Sequence, residues 1–255
     1  QWVVEAAKKS QWDQIDRMVS ELQGNLQRVR YSSIPVVTAP FQMALGGGAE
    51  MAMAGDAAQA HAETYIGLVE IGAGLIPAGT GCLRMVERWT GQSGKVATAP
   101  LQPFLSEAFM NMATARVSTG AEDARRCRYL RPTDGITLNR NHLLHQAKER
   151  ALGMARSGYR PPRPPVFKAG GVDMAKTINV QVWGMVEAGW ATEHDAVIAH
   201  KLSHVLCGGT VAEGTMLDEQ AYLDLEKEAF ISLCGEEKSL ARMESLLTTG
   251  KPLRN

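Results

Sequence analysis

The sequence predicts a mixed α/β fold in which a strand-and-helix core is followed by a predominantly helical C-terminal region. Three observations predict it. Short strand-like runs bounded by proline or glycine occur early in the chain, helical patterns dominate late, and a proline-rich connector, Tyr159 to Pro165, stands between them. The expected division is a core over residues 1–156 and a helical extension over 157–255.

The elements follow in order. Ile15, Met18, Val19, Leu22, Leu26 and Val29 recur every three or four positions with Asp13, Asp16, Arg17 and Glu21 between them, an amphipathic helix from Trp12 to Val29. The run Val36 to Ala39, between Pro35 and Pro40, has strand composition and is expected to be a buried strand entering a glycine turn. A helix resumes from Ala49 to Ala54, and Ala57 to His61 predicts a second short strand. Gly72, Gly74, Pro77, Gly79 and Gly81 predict an irregular segment before a helix through Leu83, Met85 and Val86.

Helix is expected to dominate from Phe104 onward. Ser118 and Thr119, followed by Glu122, resemble a capping box for a helix over Ala121 to Cys127, and a long helix can follow Asn139. Four prolines between Tyr159 and Pro165 remove amide donors and favour extended geometry, so that segment is a stiff connector. Beyond it, helices are predicted over Asp173 to Glu187, Glu193 to Leu206, Asp218 to Leu233 and Glu236 to Leu247.

With 45% hydrophobic and 21% charged residues, a chain of 255 residues can bury a substantial core. Its 27 basic and 27 acidic side chains cancel, which leaves no net field to draw in nucleic acid or an anionic membrane. No apolar run approaches the roughly 20 residues of a spanning helix, and no signal-peptide pattern opens the chain, so a cytoplasmic location is expected. Cys82, Cys127, Cys207 and Cys234 are scattered without a CxxC pair, as for reduced structural thiols. The chain starts at Gln1 and enters a helical pattern almost at once, as a piece of something longer would.

The chemistry concentrates at Gly46-Gly47-Gly48-Ala49-Glu50 and at Glu70, twenty residues on. Three consecutive glycines allow close backbone approach, and amides at a helix N-terminus can hold a developing negative charge. Two carboxyls beside such amides can divide acid and base roles if their environments separate their pKa values. Set against this, glycine clusters often mark only turns, and most glutamates are solvated.

The stretch from Pro35 to Glu50, continuing through Gly67-Leu68-Val69-Glu70-Ile71-Gly72-Ala73-Gly74-Leu75-Ile76-Pro77, resembles the signature of the enoyl-CoA hydratase/isomerase (crotonase) superfamily. Leu233 to Lys238 and Gly250 to Asn255 are similar to one branch, the hydratase part of bacterial bifunctional proteins in which a 3-hydroxyacyl-CoA dehydrogenase precedes the crotonase domain. The resemblance implies a partial ClpP/crotonase-like β-β-α core lacking its first strands. It implies that Gly47 supplies one of two oxyanion-hole amides, that Glu50 and Glu70 grip the attacking water, and that Gly46, Val69 and Ala78 contact substrate. Glu50 would help deprotonate the water, and Glu70 would deliver a proton to the α-carbon.

The implied substrate is a CoA thioester, with no metal and no cofactor required, and NAD only where a dehydrogenase domain lies upstream. The implied partners are an acyl-CoA and either further copies of the chain or the dehydrogenase domain. Two departures stand out. Ala78 occupies the place of a family glycine, and the family's other oxyanion amide belongs to a motif upstream of the helix with which this chain begins. Loss of one such donor typically costs about 2.7–4 kcal/mol of transition-state stabilisation.

Other signals carry less. His200 and His204 stand one helical turn apart, but Lys201 lies where a zinc protease has its glutamate. No Gly-x-Ser-x-Gly elbow, phosphate loop or dinucleotide fingerprint occurs, so this chain itself is not expected to bind NAD. Met43, Met51 and Met53 can either fill the core or line an acyl pocket. Lys251 and Arg254 can meet CoA phosphates or form a solvated tail. The expected function is hydration of trans-2-enoyl-CoA in fatty-acid β-oxidation. The alternatives are double-bond isomerisation by the same amide device, and a non-catalytic module serving assembly.

Overall fold

The structure, a computed structural model, describes residues 1–91 and 100–255. Two helices open it, Trp2–Lys8 (α1) and Trp12–Arg30 (α2). The predicted amphipathic stripe is the buried face of α2, where Ile15, Val19 and Leu26 are joined by two polar residues, Gln23 and Arg30.

The strands are arranged by a repeating strand-strand-helix step. Val37–Thr38 (β1) and Gln42–Leu45 (β2) lead into helix Gly47–Ala54 (α3), and Ala57–His61 (β3) and Thr64–Gly67 (β4) repeat the pair. β1 pairs with β3 in parallel, Val37 opposite Ala57, and β2 pairs with β4 in parallel, Gln42 opposite Thr64 and Leu45 opposite Gly67. Gly135–Thr137 (β5) adds to the far side of β3, giving the order β1-β3-β5. Each strand therefore finds its partner one step later in the chain, and the two small sheets grow side by side.

This corrects one expectation. The strand entering the glycine turn is Gln42–Leu45, not Val36 to Ala39, and β1 is a half-buried two-residue strand. Pro40 explains the break, since it has no amide to donate, while its carbonyl accepts from the His61 amide at 2.9 Å.

Helices Gly81–Thr90 (α4), Gln102–Ala113 (α5), Ala121–Arg126 (α6) and Leu143–Arg156 (α7) follow. The expected capping box at α6 is not formed. Gly120 is the N-cap, the Ser118 hydroxyl accepts instead from the Ile66 amide at 2.9 Å, and Asp123 rather than Glu122 accepts from the Thr119 amide. The position opposite β4 needs the serine more than the helix does. At the start of α7, by contrast, the Asn139 side chain accepts from the Asn141 amide, as a turn-forming asparagine should.

The connector runs without helix to a strand the sequence did not disclose, Val166–Lys168 (β6), antiparallel to Met216–Asp218 (β7). Between and after them come Gly171–Glu187 (α8), Glu193–Leu206 (α9), Glu219–Cys234 (α10) and Glu237–Thr249 (α11), close to the predicted bounds. One contiguous apolar core runs through Ile15, Ile66, Leu83 and Phe109 before the connector and Ile198, Leu202, Tyr222 and Leu233 after it. The late helices pack against α2, α4, α5 and the turn that opens at Glu70, and that places α10 and α11 beside the segments that carry the carboxylates. No helix among the described residues is long and apolar enough to cross a membrane.

Candidate active site

The site is assembled where β2, α3, the segment after β4 and the start of α4 converge. α3 begins at Gly47 because Gly46 takes φ +55° and ψ −126°, a conformation that side-chain-bearing residues avoid. A Cβ at Gly46 would also lie 3.2 Å from Glu70 Oε1. The Gly46 amide donates to Gly67 across the β2–β4 pair at 2.9 Å, and its carbonyl accepts from Ala49 and Glu50. The amides of Gly47 and Gly48, the first two of α3, have no acceptor among the described residues and lie at the exposed surface.

Glu50, in the first turn of α3, is 3% exposed. Its Oε1 accepts from the amides of Gly79 at 2.9 Å, Thr80 at 2.9 Å and Gly81 at 2.7 Å, so the carboxylate sits in a nest at the N-terminus of α4. The glycines of Gly79-Thr80-Gly81 are explained by this approach, because a Cβ at Gly79 would come within 2.4 Å of Glu50 Oε2. Burial raises the pKa of Glu50 above the ordinary range, and the three amides, by favouring the anion, offset only part of that rise.

Glu70 opens a 3-10 turn, Glu70–Ala73, with Val69 as the preceding cap residue. Its Oε2 is buried with no hydrogen-bond partner among the described residues. Burial first, and then the charge of Glu50, push its pKa up to about 8. The turn is clamped from behind. The Ser239 hydroxyl of α11 donates to the carbonyl of Gly74 at 2.6 Å and lies 2.9 Å from His194 Nε2 of α9. Because the single hydroxyl proton goes to Gly74, His194 must be the donor in that second contact. A Cβ at Gly74, whose φ is +79°, would stand 2.8 Å from Ser239 Cα.

Ala78 is buried and does not adopt a positive φ, so alanine in place of glycine carries no backbone strain there. Its carbonyl accepts from Gln23 Nε2 at 2.9 Å, and the same nitrogen also donates to Leu223 of α10 at 2.9 Å. Its amide has no acceptor among the described residues.

The structure brings the sequence candidates Glu50, Glu70, Gly46, Gly47, Val69 and Ala78 together around one turn. Sequence reasoning missed Gln23 and Glu226. Glu226 of α10 is fully buried, and its Oε1 accepts from the Leu83 amide at 2.6 Å. Burial, then Glu226, Glu50 and Glu70 in that order, raise the pKa of the buried Cys82 thiol, which marks the three carboxyls as its neighbours. A signal for both missed residues was present, since each occupies an apolar-stripe position: Gln23 between Val19 and Leu26, Glu226 between Leu223 and Ala229.

The remaining candidates disperse. Met53 is core, whereas Met43 and Met51 are exposed. His200 is exposed and His204 half-buried. All four cysteines are buried and unpaired. The Arg254 guanidinium donates to the carbonyls of Gly189 and Trp190. Clefts of about 980 Å³ beside Trp12 and Arg17 and about 450 Å³ beside Arg88 and Arg131 lie apart from the carboxylates. Chemically, the site offers two coupled carboxyls, one holding its proton to near pH 8, beside unpaired amides that can receive negative charge.

No protein-family model matches the sequence. A Bacillus subtilis protein named "Probable 3-hydroxyacyl-CoA dehydrogenase" is 39% identical over 242 residues, 95% of this chain and 30% of that protein, so the chain spans about a third of its relative. Among solved structures, enoyl-CoA hydratase from Bacillus halodurans superposes with a TM-score of 0.55 at 16% identity, covering 96% of this chain and 73% of that one. EchA1_1 from Mycobacterium paratuberculosis superposes with a TM-score of 0.50 at 18% identity, covering 88% and 64%.

Proposed function

This chain has the crotonase fold of the enoyl-CoA hydratases, and from that premise we propose that it is a hydratase segment adding water to trans-2-enoyl-CoA to give 3-hydroxyacyl-CoA. The observation that carries the reading is the placement of Glu50 and Glu70 on either side of the Gly46–Gly47 turn, next to two unpaired helix N-terminal amides. Hydration of a conjugated thioester needs a base for the water, an acid for the α-carbon, and donors for the enolate oxygen. Glu50 supplies the base, Glu70 the acid and the Gly47 amide one donor. Gly46, Val69 and the Ala78 amide border the reacting atoms. The reaction as written uses neither metal nor redox cofactor.

The B. subtilis relative supports a setting in which this segment works beside a 3-hydroxyacyl-CoA dehydrogenase, which would oxidise the product made here. That setting supplies a partner and a β-oxidation role in the cytoplasm. Absorbance loss of crotonyl-CoA and longer enoyl-CoAs tests the reading, on this segment and on a form extended at its N-terminus. Hydration that disappears in both Glu50→Gln and Glu70→Gln, with acyl-CoA binding retained, is the expected result. An inactive extended form would overturn it.

A further inference from the structure

The first turn of α4 is capped in an unusual way. Its N-cap residue, Thr80, makes no side-chain cap bond, and its hydroxyl is buried without a partner. Two glutamates from elsewhere take over the work. Glu50 of α3 receives the amides of residues 79, 80 and 81, and Glu226 of α10 receives the amide of Leu83. Both carboxyls are buried, and both sit on one helix terminus, whose partial positive charge is only about half a unit. Two anions cannot share it, so one of the carboxyls keeps its proton.

The hydrogen bonds decide which. Glu50 Oε1 accepts three amides, the environment of an anion. Glu226 accepts the Leu83 amide on Oε1, with a weaker pull from the Cys82 amide, and its Oε2 is buried with no partner among the described residues, leaving a place for a proton. Burial and then Glu50 raise the pKa of Glu226 well above the carboxylate range. The opposing influences come from α4 itself, through the amide of Leu83, the charge of Arg84 and the amide of Cys82, while α2 presents the neutral Gln23 one turn away.

We propose that Glu226 is a positioning residue for Glu50, holding the first turn of α4 as a neutral acid so that the amides of Gly79, Thr80 and Gly81 stay on the Glu50 carboxylate. The assignment rests on the hydration reading for its catalytic consequence, but the coupling of the two carboxyls stands apart from it. The helical extension then belongs to the site, because α10 supplies a residue without which the Glu50 nest loses its backing.

Two variants of the extended, active protein and one spectroscopic titration test this. Glu226→Gln keeps the acceptor for Leu83 and replaces the proposed O–H donor side with N–H. It should retain kcat within about twofold at neutral pH. Glu226→Leu removes the acceptor and should lower kcat about 100-fold with KM little changed, the size expected for a catalytic group displaced by about 1 Å. Carboxyl titration by carbon-13 NMR should show two glutamates still protonated at neutral pH, one lost in Glu70→Gln and the other lost in Glu226→Gln, while Glu50 remains ionised.

Wild-type kcat in Glu226→Leu, or equal damage in both variants, would overturn the role. So would an unchanged carboxyl titration in Glu226→Gln. If the unsubstituted protein hydrates no enoyl-CoA, the functional reading fails alone, and the titration still decides whether Glu226 is the neutral partner of Glu50.

Discussion

Arg84 Nη2 lies 2.8 Å from Glu219 Oε1, an ion pair whose side chains are 1% and 5% exposed, and it joins α4 to α10 inside the molecule. The same guanidinium reaches Glu87 at 2.6 Å and Gln27 at 2.8 Å, so α2 enters the network as well. Burial opposes the charge of Arg84, but Glu87 and Glu219 raise its pKa, and it remains a cation. The helix whose N-terminus holds Glu50 is therefore anchored through Arg84 to α10 and α2.

Removing the cation leaves two acids in the interior with fewer partners. Arg84→Leu is expected to lower unfolding stability by about 3–5 kcal/mol, the usual cost of breaking a buried pair from one side. Urea denaturation measures it. A change under 1 kcal/mol would show that Gln27, Tyr31 and Arg30 suffice for Glu219 and Glu87.

Glu70 sets a pH dependence with a definite sign. Its folded pKa of about 8 lies above its unfolded value of about 4.3, so the native state holds a proton that the unfolded chain has lost. Stability from this group is complete below the unfolded value and is lost as pH rises through about 8. Glu70→Gln should flatten unfolding free energy against pH across that window. If Glu70 is the proton donor, hydration should also decline above about pH 8, and a rate that climbs steadily through pH 9 would remove it from that role.

Gly46 meets two constraints at once, a positive φ and a carboxylate oxygen 3.2 Å from any added Cβ. Gly46→Ala should cost about 1–3 kcal/mol of stability from strain at that backbone position. It should also shift Glu70 and lower kcat by more than it raises KM. Comparable stability and turnover in the variant would mean the turn relaxes without disturbing the carboxyl.

The helices were legible because their signal is local. Trp12–Arg30, Glu193–Leu206 and Glu219–Cys234 each carry an apolar stripe that must face a core, and the structure keeps them within a few residues of the predicted bounds. Gln42–Leu45, Thr64–Gly67, Gly135–Thr137, Val166–Lys168 and Met216–Asp218 were not, since strands of three or four residues exist only through partners distant in the chain. The capping box failed for a related reason: Ser118 is claimed by the Ile66 amide, a contact that no window around residue 118 contains.

By itself the sequence determined the glycine turn and placed two glutamates near it, because a tight turn with close backbone approach needs glycine at particular positions. Tertiary structure alone decided what those glutamates experience. The pKa of Glu70 near 8, the three amides on Glu50, the clamp of Ser239 on Gly74 and the placement of Glu226 behind α4 all join segments far apart in the chain. Desolvation and charge coupling depend on distance in space, and no local pattern encodes them.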